Sequence, residues 1–155
     1  MIRPFNAKDF DDIIDLAKQY AKEAGTGIGS LDEQKLYQLL RDLNIKPGYQ
    51  LFVNENKKIT GFVVCQATKN PWNGRNEGNI IFQYVVPEYR NGFTAKSLLQ
   101  RAESWFRELD CEYFIANVRG WQQDYTTNEN FINNGHQFYQ QMMKHCGYCY
   151  VKEIL

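Results

Sequence analysis

The stretch of the chain best suited to chemistry is Tyr84-Val85-Val86-Pro87-Glu88-Tyr89-Arg90-Asn91-Gly92-Phe93-Thr94-Ala95. An apolar strand turns a corner at Pro87 and enters a helix that Leu98 and Leu99 dock. The first backbone N–H groups of a helix have no partner within it. Together with the helix dipole they suit an anionic phosphate. A small residue at Ala95 lets a pyrophosphate approach the backbone, and Arg90 adds positive charge. The plainer alternative is a β-turn-α connection that holds no ligand.

Other reactive residue types lack the context their chemistry needs. Cys146-Gly147-Tyr148-Cys149 has redox spacing, but it precedes a terminal strand instead of opening a helix that would lower a thiol pKa. His145 and these two cysteines have no second pair nearby to complete a zinc site, so no metal is expected. His136 reads as a polar residue of a helix face. No serine stands in a nucleophile-elbow pattern.

The elements that position the junction follow from periodicity. Ile2 to Phe5 reads as a first strand. Asn6 caps a helix carrying Phe10, Ile13, Ile14, Ala17, Tyr20, Ala21 and Ala24 at helical spacing, with Asp9 well placed for its dipole. Gly25, Gly27 and Gly29 end it. Ser30 and Glu33 pair as a capping box for a second helix, whose buried face is Leu36, Leu39, Leu40 and Leu43. Tyr49–Val53 and Ile59–Ala67 form a hairpin. The loop Asn70–Gly78 leads to the strand Asn79–Val86. A helix follows over Ala95–Leu109, with Leu98, Leu99, Ala102, Trp105, Phe106 and Leu109 on one face, then a strand over Glu112–Val118. Strand-helix-strand implies a parallel crossover. After a polar loop from Arg119 to Asn128, the residues Phe131, Ile132, Gly135, Phe138, Tyr139 and Met142 mark a last helix, and Tyr148–Ile154 a closing strand. The expected fold is α/β of the α+β type. Its mixed, mainly antiparallel sheet has one late parallel β-α-β crossover and flanking helices, in a single domain over residues 1–155.

Composition narrows the partners. Lysine plus arginine equal aspartate plus glutamate at 18 each, without the basic excess of a nucleic-acid binder. No apolar stretch is long enough to span a membrane and the first residues carry no signal core, so the expected compartment is the cytoplasm. The four cysteines are then free thiols by default. The aromatic fraction of 15% predicts a core rich in Phe and Tyr.

Taken in order, these motifs resemble the GNAT superfamily, the GCN5-related N-acetyltransferases. That family's signature is a strand ending in V-x-P, then Y-R-x-x-G-x-G/A, then a helix with paired leucines. Val85, Pro87, Tyr89, Arg90, Ala95, Leu98 and Leu99 match it in register. Ile2-Arg3-Pro4-Phe5 is similar to its opening strand, and Phe138-Tyr139 with Tyr150 to Leu155 to its last helix and strand. Two departures stand out. Phe93 occupies the place of the first signature glycine, with Gly92 one position early. Either Gly92 supplies the permissive backbone on a different loop path, or phosphate binding is weakened. Met142-Met143-Lys144 stands where the family has Gly-Phe.

The resemblance implies transfer of an acetyl group from acetyl-CoA to a primary amine on a small molecule or peptide, by direct attack on the thioester. The alternative it leaves is a weak or inactive module that binds acyl-CoA or a protein partner. It implies that the strands Asn79–Val86 and Glu112–Val118 part to admit the coenzyme. Its pantetheine would lie along Phe82 to Val86, including Val85 and Val86. Its pyrophosphate would lie on Asn91, Gly92, Phe93, Thr94, Ala95 and Lys96, beside Arg90. Tyr139 matches the family's general acid, the alternative being an aromatic core anchor. Glu77 is the best carboxylate for a base, while Gln83 and Tyr84 could instead order a water. Arg119, Trp121, Asp124 and Tyr125 would line the acceptor side, with Trp72 and Arg75 as weaker candidates. A homodimer, common in the family, is a further implication.

Overall fold

The computed structural model describes residues 1–24, 32–90, 92–117, 137–146 and 149–154. Gly25, Gly27, Gly29, Ser30, Asn91, Arg119, Trp121, Asp124, Tyr125, Phe131, Ile132, Gly135 and His136 lie outside the described residues.

Arg3 ties the start of the chain together. It lies in strand β1 (Ile2–Pro4), which pairs antiparallel with β2 (Tyr49–Asn56). Asn6 caps a short 3-10 turn (Ala7–Asp9) that runs into α1 (Phe10–Ala24), as its side chain accepts the Lys8 N–H and Asp9 accepts the Asn6 N–H. Both carboxylate oxygens of Asp9 also receive the Arg3 guanidinium, at 2.7 and 2.9 Å, and Arg3 Nε reaches Glu55 at 2.7 Å. One side chain thus joins β1, β2 and the entry to α1. A buried carboxylate needs such partners, and Asp9 is only 4% exposed.

Helix α2 (Glu33–Ile45) starts differently from the expected capping box. Its cap is Asp32, whose side chain accepts the N–H groups of Gln34 and Lys35. Leu40 and Leu43 are buried, but Leu39 is 45% exposed, so the buried stripe is narrower than the run of leucines suggested. Leu16, absent from the expected core of α1, is buried.

The sheet order is β1-β2-β3-β4-β5-β7-β6, with β3 at Lys58–Lys69, β4 at Asn76–Val85, β5 at Tyr113–Asn117, β6 at Lys144–Cys146 and β7 at Cys149–Glu153. Among the described residues every pairing is antiparallel except β4 with β5. Between those two runs α3 (Phe93–Glu108), the crossover expected from sequence. Residues 137–142 are helical (α4). The hairpin strand β6 was not anticipated, because three residues are too few to show a period. Leu109, expected on the buried face of α3, is 40% exposed just past its end.

The two faces of the sheet carry separate cores. Helices α1 and α2 cover one, with Ile13, Ile14, Leu40, Val53, Phe62 and Tyr84. Helix α3 covers the other, with Phe52, Val63, Leu98, Leu99, Phe106 and Phe114, and Tyr139 of α4 joins them. Close approach on the α3 side depends on Gly78, where a Cβ would stand 2.6 Å from the Phe106 ring. Among the described residues no helix is long and apolar enough to cross a membrane.

The Arg3 clamp makes stability sensitive to acid. Arg3 holds the Asp9 carboxyl below its usual range, so the folded state binds that proton more weakly than the unfolded chain. Its contribution is full above the unfolded value of about 3.9 and is lost as pH falls through the folded value. Melting temperatures measured from pH 7 to pH 3 should therefore drop less steeply in Asp9→Asn than in the parent. Parallel curves would show that the clamp carries no pH dependence.

Candidate functional site

Strands β4 and β5 are parallel neighbours. Among the described residues their register runs from Glu77 opposite Tyr113 to Ile80 opposite Ala116, while β4 continues to Val85 and β5 to Asn117. A β-bulge lies at the same place. Val64 of β3 faces Phe82, while its neighbour Cys65 faces Ile80, so Ile81 is the extra residue. An inserted residue reverses the side-chain alternation beyond it. Ile80 points into the α3 core, Ile81 and Phe82 both pack on the α1 and α2 side, and Val85 returns to the α3 side.

The same alternation decides where the backbone points. The Val86 N–H donates to Thr60 O of β3 at 3.0 Å. Two residues back, Tyr84 has the same orientation, toward β3. The N–H and C=O groups of Gln83 and Val85 therefore face the opposite edge, where the described pairing with β5 ends at Ile80. The described pairing of the two strands expected to part, Asn79–Val86 and Glu112–Val118, reaches Ile80 opposite Ala116.

Past β4, Pro87–Tyr89 forms a 3-10 turn and α3 begins at Phe93. Gly92 caps it with φ +79°, the left-handed region that favours glycine, and a Cβ there would meet nothing within 4 Å. Gly92 has no side chain to accept the first N–H groups of α3, and the earliest backbone bond is from Lys96 N to Gly92 O at 3.3 Å. Thr94 and Ala95 thus lie in the first turn of α3, at a helix N-terminus, where an anion is favoured. Phe93 points outward and is 76% exposed. Lys96 is also exposed.

Tyr139 is buried against this same region. Its hydroxyl donates to Gln83 Oε1 at 2.7 Å, and Gln83 Nε2 donates to the carbonyl of Ala95 at 2.8 Å. Burial, with Cys65 and Tyr20 adding to it, pushes the Tyr139 phenol well above its ordinary range. The group stays a neutral O–H donor at any physiological pH. Gln83, named from sequence only as a residue that could order a water, joins β4, α3 and α4.

Arg90 is held by contacts within the protein. Its Nε donates to Val85 O at 2.7 Å, its two terminal nitrogens both bind the Glu23 carboxylate, and the guanidinium lies 5.3 Å from the centre of the Tyr84 ring. Glu23 raises the Arg90 pKa further. The Tyr84 hydroxyl also donates to Glu23, at 3.1 Å, and burial followed by the Glu23 charge moves the Tyr84 phenol up to about 12. Tyr84 therefore faces α1, on the opposite side of the sheet from Gln83. Arg90, expected beside a phosphate, instead ties the end of α1 to the turn. Glu23 was missed because its partner is 67 residues away and nothing near it in sequence marks the pairing.

Glu77, expected as the base, does not lie beside Tyr139. Glu77 lies where β4 and β5 are still paired. Gln83 is six residues further along, roughly 20 Å away at the rise of a strand. The Glu77 carboxylate accepts from the Tyr113 hydroxyl at 2.6 Å, Asn70 Nδ2 at 2.9 Å and Asn79 Nδ2 at 3.2 Å. Burial alone would raise its pKa, but these three donors together hold it below the ordinary carboxylate value. Glu77 fastens the β3–β4 loop to β5. Trp72 and Arg75 lie in that loop. Trp72 is exposed, and Arg75 pairs with Glu112. Among the described residues no group of three or more His, Cys, Asp or Glu is placed to hold a metal ion.

Comparison with known proteins bears on what such a site does. The model of the acetyltransferase (GNAT) family matches residues 11–129. No curated protein matches the chain. Among solved structures, aminoglycoside antibiotic 6'-N-acetyltransferase AAC(6')-IG from Acinetobacter haemolyticus is similar, with a TM-score of 0.71 at 16% identity over 100% of this chain and 94% of that one. A ribosomal-protein-alanine N-acetyltransferase from Brucella melitensis biovar Abortus 2308 gives 0.71 at 15% identity over 100% and 97%. Arabidopsis thaliana NAA60, solved in complex with acetyl-CoA, gives 0.72 at 12% identity over 99% and 98%. At these identities the likeness establishes the shared fold. The family match covers most of the sequence and includes β4, the α3 turn and β5, and the chain belongs to the GNAT family of acetyltransferases.

Proposed function

We propose that this protein moves the acetyl group of acetyl-CoA to a primary amine, by direct attack of the neutral amine on the thioester. The observation that carries the reading is that, among the described residues, β4 pairs with β5 only as far as Ile80, with the Tyr139 hydroxyl bound to Gln83 just beyond. The pantetheine amides pair with the backbone of Gln83 and Val85, which turns away from β3, next to Val86. The Val85 carbonyl still has a second lone pair beside its bond from Arg90. The pyrophosphate rests on the amides from Asn91 through Gly92, Phe93, Thr94 and Ala95 to Lys96, with Arg90 holding the turn from behind. Solved relatives with related ligands support this, since NAA60 was captured with acetyl-CoA and AAC(6')-Iy with a CoA-acetylneamine bisubstrate analogue.

In the reaction the amine nitrogen forms a bond to the carbonyl carbon and the C–S bond breaks. The nitrogen sheds a proton to solvent, and the departing thiolate is stabilised and protonated from Tyr139. No metal takes part. The acceptor is a small-molecule or peptide amine, as the names of the aminoglycoside and ribosomal-protein relatives suggest. The setting of this reaction is the cytoplasm.

Acetyl-CoA should raise the melting temperature in a concentration-dependent way, because it binds only the folded state. With an acceptor found in a panel of aminoglycosides and N-terminal alanine peptides, Tyr139→Phe should lower kcat by about a hundredfold or more. It should leave acetyl-CoA affinity nearly unchanged. Glu77→Gln should keep the parent kcat. Absence of any melting shift would refute the reading, and a shift without turnover across the panel would indicate a coenzyme-binding module instead.

The turn makes a separate prediction. Gly92→Ala forces a side chain into left-handed backbone at a cost of about 1–2 kcal/mol, and should weaken acetyl-CoA binding. Phe93→Ala should change it little, because the ring points outward. Calorimetric titration distinguishes them. Weaker binding in Phe93→Ala than in Gly92→Ala would move the critical position to Phe93.

A further inference from the structure

We propose that Gln83 is a positioning residue for the reaction, and that the backbone carbonyl of Ala95 sets the direction of the Tyr139 hydroxyl through it. The inference rests on the acetyltransferase reading above for its catalytic consequence.

The argument starts from what each partner can do. A backbone carbonyl only accepts hydrogen bonds. Ala95 O lies 2.8 Å from one end of the Gln83 amide, so that end is the NH2 group. The other end is then the carbonyl oxygen, and it too can only accept. The group against it is the Tyr139 oxygen at 2.7 Å, which must donate. The orientation of a carbonyl on α3 thus fixes where a proton on α4 points. In the free protein the Tyr139 proton is directed to Gln83, and the phenol oxygen turns its lone pairs elsewhere.

The bulge is what makes this possible. Without the extra residue at Ile81, the alternation of β4 would send residue 83 to the α1 and α2 face, where Phe82 and Tyr84 pack. With it, Gln83 meets Ala95 and Tyr139 on the α3 face. The same amide spans the turn that presents the α3 amides and the phenol beside the open strand edge. Gln83 therefore holds the acid in place relative to the coenzyme, and it gives up the phenol proton only when a stronger acceptor, the departing thiolate, arrives. Proton transfer to that sulfur breaks the Tyr139–Gln83 bond as the S–H bond forms, and the phenolate regains a proton from solvent after the products leave.

The test uses the whole protein with tyrosines labelled at 13Cζ, whose shift reports the state of the hydroxyl. Tyr139→Phe assigns the resonance. Gln83→Met removes both hydrogen bonds at similar volume. Gln83→Glu restores the pair only when protonated, since a carboxylic acid donates to Ala95 O and accepts from Tyr139, whereas a carboxylate places an oxygen against the Ala95 carbonyl. Among the described residues, the titratable groups that raise the Tyr139 phenol besides burial are Cys65 on β3 and Tyr20 on α1, neither a carboxyl nor an imidazole. The Tyr139 resonance should shift in Gln83→Met. In Gln83→Glu it should follow a single titration between pH 5 and 8 that the parent lacks. With acetyl-CoA and an accepting amine from the panel, Gln83→Met should lose about tenfold in kcat, the scale of one hydrogen bond, with acetyl-CoA affinity within about twofold. The ratio of Gln83→Glu to parent kcat should be highest at low pH and fall as pH rises. A Tyr139 resonance identical in all three proteins, or a kcat ratio independent of pH, overturns the proposal. Failure of the acetyltransferase reading is distinguishable, because it abolishes turnover in the parent while leaving the resonance changes in place.

Discussion

Backbone amides and carbonyls left without partners are costly, and a strand in the middle of a sheet ordinarily spends them on its two neighbours. In this protein, among the described residues, β4 pairs with a second strand over only part of its length. It keeps β3 from Lys69 to Gly61 but has β5 only as far as Ile80. Antiparallel strands on one side hold β4 in register, and the described pairing with the parallel partner on the other side ends where the bulge begins. An extended molecule with amide groups is the natural occupant of such an edge, by the same logic that lets a peptide add a strand to a sheet.

The neighbouring elements close the arrangement from three directions. Helix α3 presses its Phe106 onto Gly78 and its Leu98 near Gly61, two positions where a side chain would collide. It therefore crosses the sheet close enough for Ala95 to reach Gln83. From α1, Glu23 grips Arg90, and Arg90 grips the last carbonyl of β4. From α4, Tyr139 comes down on the same strand. Each contact crosses between elements distant in sequence, so the geometry of the site depends on the complete sheet.

Much of this was legible in the sequence. The period of α1, the hairpin of β2 and β3, and the strand-helix-strand crossover of β4, α3 and β5 follow from side-chain patterns that the packing respects. The left-handed cap at Gly92 follows from the one residue type that adopts it freely. What was hidden has a common cause. The bulge at Ile81 leaves no mark in a run of strand-forming residues, yet it turns Gln83 from one face to the other. Glu77 looked like a base because it shares a strand with the junction, but a strand is long, and position along it counts as much as membership. Arg90 looked free because Glu23 lies far away in the chain. Asp32 displaced the expected cap of α2 because several neighbouring residues could serve and local sequence does not choose among them.

The central claim is that the edge of β4 beyond Ile80 is kept open for the coenzyme. Amide hydrogen exchange, residue by residue, with and without saturating acetyl-CoA, tests it most directly. In the free protein the N–H groups of Gln83 and Val85 should exchange faster than those of Tyr84 and Val86, which turn to β3. On adding acetyl-CoA the alternate residues facing the open edge should gain protection, Val85 foremost, with little change at Tyr84 and Val86. Uniform protection along the strand, or protection confined to other elements, would contradict the account.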